Sequence, residues 1–255
     1  MGEMAPVRTT LPAPTAAGRL PVDVYTPREA PRGLALIAHG RSGSPDQPHM
    51  QPVVRACLGR GLKVVAPHLP NSPAGEGAGR PDRFTMAGQI EALGHVSDWA
   101  RASLSAGSGC GMLLVGHSMG AHAALRLAAE AAPGEIAGVL AISPVVSGAA
   151  LIAARARMGA EALEALRDEV PGAFAEWRGH DLIAPAHRIA VPVALMTGAE
   201  DGLTPPCDMQ TLAARLPLVV SLEILPGQHH CPTGADYARR LGAALERVIA
   251  AGRRR

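Results

Sequence analysis

The chain has 255 residues, 47% of them apolar, and a formal net charge of +2. That length suits one large domain whose core needs neither disulfides nor structural metals, and so small a charge gives no ground for a nucleic-acid partner. Aromatic residues are scarce, two each of Trp, Tyr and Phe, so aliphatic side chains are expected to fill the core and to line any substrate pocket.

The leading stretch MGEMAPVRTTLPAPTAAG has no continuous apolar run, and nothing in it reads as a secretory signal. LPVDVY at 20–25 is expected to form an antiparallel edge strand, or part of two. After it, short apolar runs alternate with longer amphipathic stretches. LALIAH (34–39), KVVAP (63–67), MLLVG (112–116), GVLAI (138–142), VPVALMT (191–197) and LEIL (222–225) predict strands covered on both faces, as in a parallel sheet. Helices are expected at about 52–60, 85–104, 119–131, 207–216 and 236–250. That alternation predicts an α/β fold with a mostly parallel, doubly wound sheet flanked by helices.

One segment breaks the rhythm. Residues 144–188 carry helical patterns and no strand, which is long for a crossover. A short helical insertion is expected there, lying as a lid over the carboxyl ends of the strands or packed at the side of the sheet. The chain otherwise reads as a single domain over 1–255. No stretch approaches the ~20 apolar residues of a membrane span, and the expectation is a cytoplasmic protein with reduced thiols. Arg253-Arg254-Arg255 reads as a solvated tail.

The chemistry gathers at four places. Gly116-His117-Ser118-Met119-Gly120 matches GxSxG, with a strand running into it and a helix running out. A serine on such a bend is exposed above the sheet, and the flanking glycines allow the tight turn. An unactivated hydroxyl is a poor nucleophile, so Ser118 needs a base. PGQHHCP at 226–232 follows the last strand and offers His229 and His230. An orienting carboxylate is expected after the preceding strand, where GAEDG supplies Asp201 or Glu200. The order serine, acid, histidine is that of one serine hydrolase architecture and not of others. Finally, His39-Gly40-Arg41-Ser42-Gly43 follows a strand. There the Arg41 amide, with that of Met119, is placed to face a developing oxyanion. His39 is expected to fix this loop by hydrogen bonding. The Arg41 side chain is either solvated or a contact for an anionic substrate group.

The remaining candidates are weaker. His117 is expected to face away from substrate and Cys231 to be a small buried hydrophobe. Cys57, Cys110, Cys207 and Cys231 contain no CxxC pair, which is neither a disulfide framework nor a zinc signature. His49, His68, His95, His122, His180 and His187 share no metal-ligand spacing, so neither metal nor cofactor is expected.

The HG loop at 39–40, GHSMG at 116–120, GAEDGLTPP at 198–206 and PGQHHCP at 226–232 resemble the signatures of the α/β-hydrolase superfamily. The likeness is strongest to its compact bacterial esterase, dienelactone-hydrolase-like and serine-aminopeptidase-like branches, and it spans about residues 20–250. The resemblance implies Ser118 as nucleophile, Asp201 as the acid of a GxxD turn, and His230 as the base. His229 stands where the family commonly has Gly, a departure at the base itself. It implies a serine hydrolase of carboxylic esters or related acyl compounds working through an acyl-enzyme. A peptidase, amidase or acyltransferase on the same residues is the alternative, and a non-catalytic binding protein is the alternative of another class. Dienelactone hydrolase activity is not implied, because the nucleophile is Ser where those enzymes have Cys.

Overall fold

A computed structural model describes residues 7–72, 79–104 and 111–254. Eight strands form one sheet in the order β1-β2-β4-β3-β5-β6-β7-β8. They are β1 (Val7–Thr15), β2 (Gly18–Thr26), β3 (Gly33–Ala38), β4 (Leu62–Pro67), β5 (Met112–His117), β6 (Ile136–Ile142), β7 (Val193–Gly198) and β8 (Val219–Leu225). The first two form an antiparallel hairpin, β2 pairs antiparallel with β4, and all later neighbours are parallel.

The near-continuous apolar runs have a direct cause. In β3, Leu34, Leu36 and Ala38 enter one apolar cluster while Ala35 and Ile37 enter another on the opposite face, and β5, β6 and β7 alternate likewise. Helices α1 (Gln51–Leu58) and α8 (Gly234–Gly252) cover the second face through Val53, Val54, Leu241, Leu245 and Val248. Helices α2 (Met86–Leu104), α3 (Met119–Glu130) and α7 (Pro206–Ala213) cover the first. Each of these central strands therefore buries both of its sides, and polar alternation has no place to appear in them.

Strand β1 departs from the expected elements, since 7–15 carries Pro12 and Pro14 and gave no strand signal. It holds the outer edge of the sheet, where a missing N–H facing away from β2 breaks no ladder. Pro12 lies opposite Pro21, a pair that can only be non-hydrogen-bonded. The hairpin is tied inward by the fully buried Asp23, which accepts from Arg8 (2.6 Å), Thr10 (2.7 Å) and His68 (2.9 Å). Burial alone would raise the Asp23 pKa. The hydrogen bonds from Arg8, Thr10 and His68 outweigh it and hold the group below its ordinary value.

Between β6 and β7 the chain forms α4 (Gly148–Arg157), α5 (Ala160–Glu169) and the short α6 (Ala173–Glu176). Helices α4 and α5 are separated at Gly159, whose φ of 116° no L side chain adopts readily. Leu151, Ile152, Leu166 and Trp177 of this segment pack with Phe84, Met86 and Met119 into a third apolar cluster. The Glu176 carboxylate accepts from the Met86 and Ala87 amides at 3.0 Å each, so the insertion caps α2. No helix among the described residues is long and apolar enough to cross a membrane.

Candidate active site

The loops at the carboxyl ends of β3, β5, β7 and β8 converge. Ser118 sits between β5 and α3 with φ 58° and ψ −121°, a conformation that a non-glycine residue holds only under strain. Close packing enforces the bend. A Cβ on Gly116 would strike the backbone of Gly120 and Ala121, and one on Gly120 would strike the carbonyls of Ala38 and His39. A third glycine matters as much, because a Cβ on Gly198 would overlap the carbonyls of Gln228 and His229. That approach seats the loop after β8 against the end of β7.

Three side chains distant in sequence meet there. His230 Nε2 lies 2.9 Å from Ser118 Oγ, and His230 Nδ1 lies 2.9 Å from Asp201 Oδ2. With Nδ1–H donated to the carboxylate, Nε2 is left to accept the serine hydroxyl proton. Asp201 is buried and multiply held. Its Oδ1 accepts the amides of Leu203 (3.0 Å) and Thr204 (2.9 Å), and its Oδ2 accepts the hydroxyls of Thr204 (2.7 Å) and Thr197 (3.2 Å). Burial works against ionisation, but the bonds and charge of His230 and the donors of Thr204 prevail, and its pKa lies well below the ordinary carboxylate value.

The open pairs in the sequence separate clearly. Glu200 and His229 stand together at the surface, Nε2 to Oε2 at 3.3 Å, with His229 Nδ1 3.1 Å from the Glu200 carbonyl. Asp201 and His230 point inward to Ser118.

Gly40 lies against the serine, since a Cβ there would stand 2.9 Å from that of Ser118. The loop carrying Arg41 therefore borders the same space as the first turn of α3. Neither the Arg41 amide nor the Met119 amide has a hydrogen-bond acceptor among the described residues. As the first helical residue, Met119 is one whose N–H has no intrahelical partner. His39 fixes this loop as its position suggests: Nδ1 donates to the Gly40 carbonyl (2.8 Å), and Nε2 accepts from the Leu69 amide (3.0 Å). Gln89 of α2 also donates to the His39 carbonyl at 2.9 Å.

Other expectations are corrected. The Arg41 side chain is neither solvated nor free for an anion; it is 14% exposed and pairs with Glu169 of α5 at 2.9 Å. Cys231 is exposed and not a buried hydrophobe, because the loop after β8 turns it toward solvent. The apolar wall running from Met119 is not purely aliphatic, since Phe84, Phe174 and Trp177 gather there when the insertion folds back. Cys110 lies outside the described residues.

Sequence reading missed Thr204 and Thr197, and for His117, which it turned away from substrate, it gave no contact with the loop after β8. Leu203 follows Asp201 at the offset of an Asx turn, and Thr204 comes next, a local signal that was available. The Nε2–H of His117 donates to the His230 carbonyl at 2.8 Å, a contact between loops that nothing local announces. His49 and His117, with rings 4.3 Å apart, join Cys231 in a group whose ligand atoms can hold a cation.

The arrangement can carry a proton from a hydroxyl to an imidazole oriented by a carboxylate, beside unpaired amides that can face an oxyanion. The family model of the α/β hydrolase fold matches residues 35–184. Among solved structures, an esterase of Pyrococcus furiosus is similar with a TM-score of 0.75 at 20% identity, over 98% of this chain and 96% of that one. Est1E from Butyrivibrio proteoclasticus, solved with ferulic acid, is similar at 0.70 and 17% identity, over 91% and 96%. A dienelactone hydrolase from Anabaena variabilis is similar at 0.68 and 16% identity, over 97% and 98%. At these identities the likeness is one of fold. Comparison with curated proteins finds no match. The match runs from β3 through the serine turn and most of the insertion, and the chain belongs to the α/β hydrolase fold family.

Proposed function

We propose that the protein is a serine hydrolase of carboxylic esters or related acyl compounds, acting through an acyl-enzyme on Ser118. The observation that carries this reading is the continuous line from Ser118 Oγ to His230 Nε2 (2.9 Å) and from His230 Nδ1 to Asp201 (2.9 Å). His230 takes the hydroxyl proton as Ser118 attacks the carbonyl carbon. Asp201 holds the imidazole in the Nδ1–H tautomer and stabilises its cation. The Arg41 and Met119 amides receive the charge that develops on the carbonyl oxygen. His230 then protonates the departing alcohol, and water repeats the cycle on the acyl group. Esterases among the similar folds support the ester over other acyl substrates. The whole chain acts as one domain, with 144–188 as a helical cover over the site.

A fluorophosphonate probe should label Ser118, and p-nitrophenyl acyl esters should be turned over. Ser118→Ala should abolish labelling and lower kcat by about 10⁶-fold, with the unfolding midpoint nearly unchanged. Full turnover by that variant would place the chemistry elsewhere.

A further inference from the structure

Three side chains outside the proposed proton line meet beside His230. His49 precedes α1, His117 lies within the serine turn, and Cys231 follows His230. Each brings one ligand atom to within 4.8 Å of the others. Both imidazoles are buried, whereas Cys231 is exposed, so the group is closed on its nitrogen side and open on its sulfur side.

One hydrogen bond fixes which nitrogen of His117 is available. His117 donates Nε2–H to the His230 carbonyl, so its Nδ1 carries a lone pair. Among the described residues that Nδ1 has no hydrogen-bond partner, and neither has Nε2 of His49. A buried polar atom left unpaired is destabilising, and two of them beside one thiol call for an occupant. Two imidazole nitrogens and a sulfur are a donor set for a thiophilic cation and a poor one for Mg2+ or Ca2+.

We propose that His49 Nε2, His117 Nδ1 and Cys231 Sγ form a binding site for a thiophilic divalent cation of the Zn2+ type, with water in the fourth position. On binding, the Cys231 S–H bond breaks, its proton passes to solvent, and the thiolate pair forms the sulfur–metal bond. The donors draw together to metal distances of about 2.0–2.3 Å, movement that the exposed Cys231 supplies. The cation also grips the His230 backbone from two sides. Cys231 is its neighbour in the chain, and His117 holds its carbonyl through the nitrogen that does not bind metal.

The test begins with chelator-treated full-length protein titrated with Co2+, followed by its thiolate-to-cobalt absorption, and then with Zn2+ as competitor. One equivalent should bind, and hydrogen exchange of residues 228–233 should slow on binding. Cys231→Ser should lose the absorption, and His49→Gln should bind at least about tenfold more weakly. Cys207→Ser should behave as the parent. Because Cys231 is exposed, its variant leaves the fold intact, and circular dichroism checks both variants. No binding to the parent protein, or an absorption that survives Cys231→Ser, would overturn the site and leave water bridging the two nitrogens.

Discussion

Ser118 is held at a positive φ by backbone packing on both sides, and strain of this kind costs about 1–3 kcal/mol. Its partner is decided one residue at a time. His230 reaches the serine while His229, with a side chain 75% exposed, turns to Glu200. We therefore expect His230→Ala to lower kcat about as far as Ser118→Ala, and the double variant to be little worse than either, because the residues act as a unit. His229→Ala should change kcat no more than a few-fold. Steady-state kinetics on one ester decide this, and a large loss in His229→Ala would reverse the assignment. The adjacent histidines are chemically identical in sequence. Which one faces inward is set by the close approach of Gly198 to the Gln228 and His229 carbonyls.

Among the polar contacts that tie the insertion to the body of the fold, two differ in kind. Glu176 caps the amino end of α2 through two amides and also bonds His180 at 2.6 Å. Arg41–Glu169 is a single ion pair whose carboxylate is 55% exposed. Caps of this type contribute about 1–2 kcal/mol, whereas exposed ion pairs contribute less than about 1 kcal/mol. Glu176→Ala should thus lower stability by about 1–2 kcal/mol in urea unfolding. Glu169→Ala should scarcely move the midpoint, yet should raise the protease sensitivity of α5. Equal midpoints for the two variants would show that the cap does not anchor the insertion. The helices of this segment were legible from their periodicity. Their placement was not, since it rests on contacts of Met119, Phe84 and Glu176 with residues far away in sequence.

Across the whole molecule, four histidines are buried in a neutral state. Burial pushes His39, His49 and His122 down to about 4, and His117 lies well below the ordinary value near 6.5. The unfolded chain takes up these protons below about pH 6.5, while the folded one keeps His39, His49 and His122 neutral until about pH 4 and His117 neutral well below its ordinary value. Their contribution is therefore complete above pH 6.5 and is lost as pH falls toward 4. The depressed carboxylates Asp23 and Asp201 act lower down. What they add is present above their unfolded values near 3.8 and disappears in stronger acid. Urea midpoints should fall steadily between pH 7 and pH 4.5, each full unit of one histidine's shift being worth about 1.4 kcal/mol. A flat profile over that range would mean that the buried rings titrate as they do in the unfolded chain.

The chain by itself determined the layered α/β architecture and the rank of its chemistry. Apolar runs buried on two faces read as a parallel sheet, and the serine turn, the acid turn and the histidine loop came in order after successive strands. These are local signals, fixed by backbone sterics and by burial period. Tertiary structure alone decided what depends on loops meeting. It settled which histidine and which carboxylate face Ser118, where Arg41 spends its charge, and why a proline-bearing stretch can be a strand. It also brought His49, His117 and Cys231 together. The physical reason is range: hydrogen bonds, close contacts and desolvation act over a few ångströms in space, and sequence separation carries no record of them.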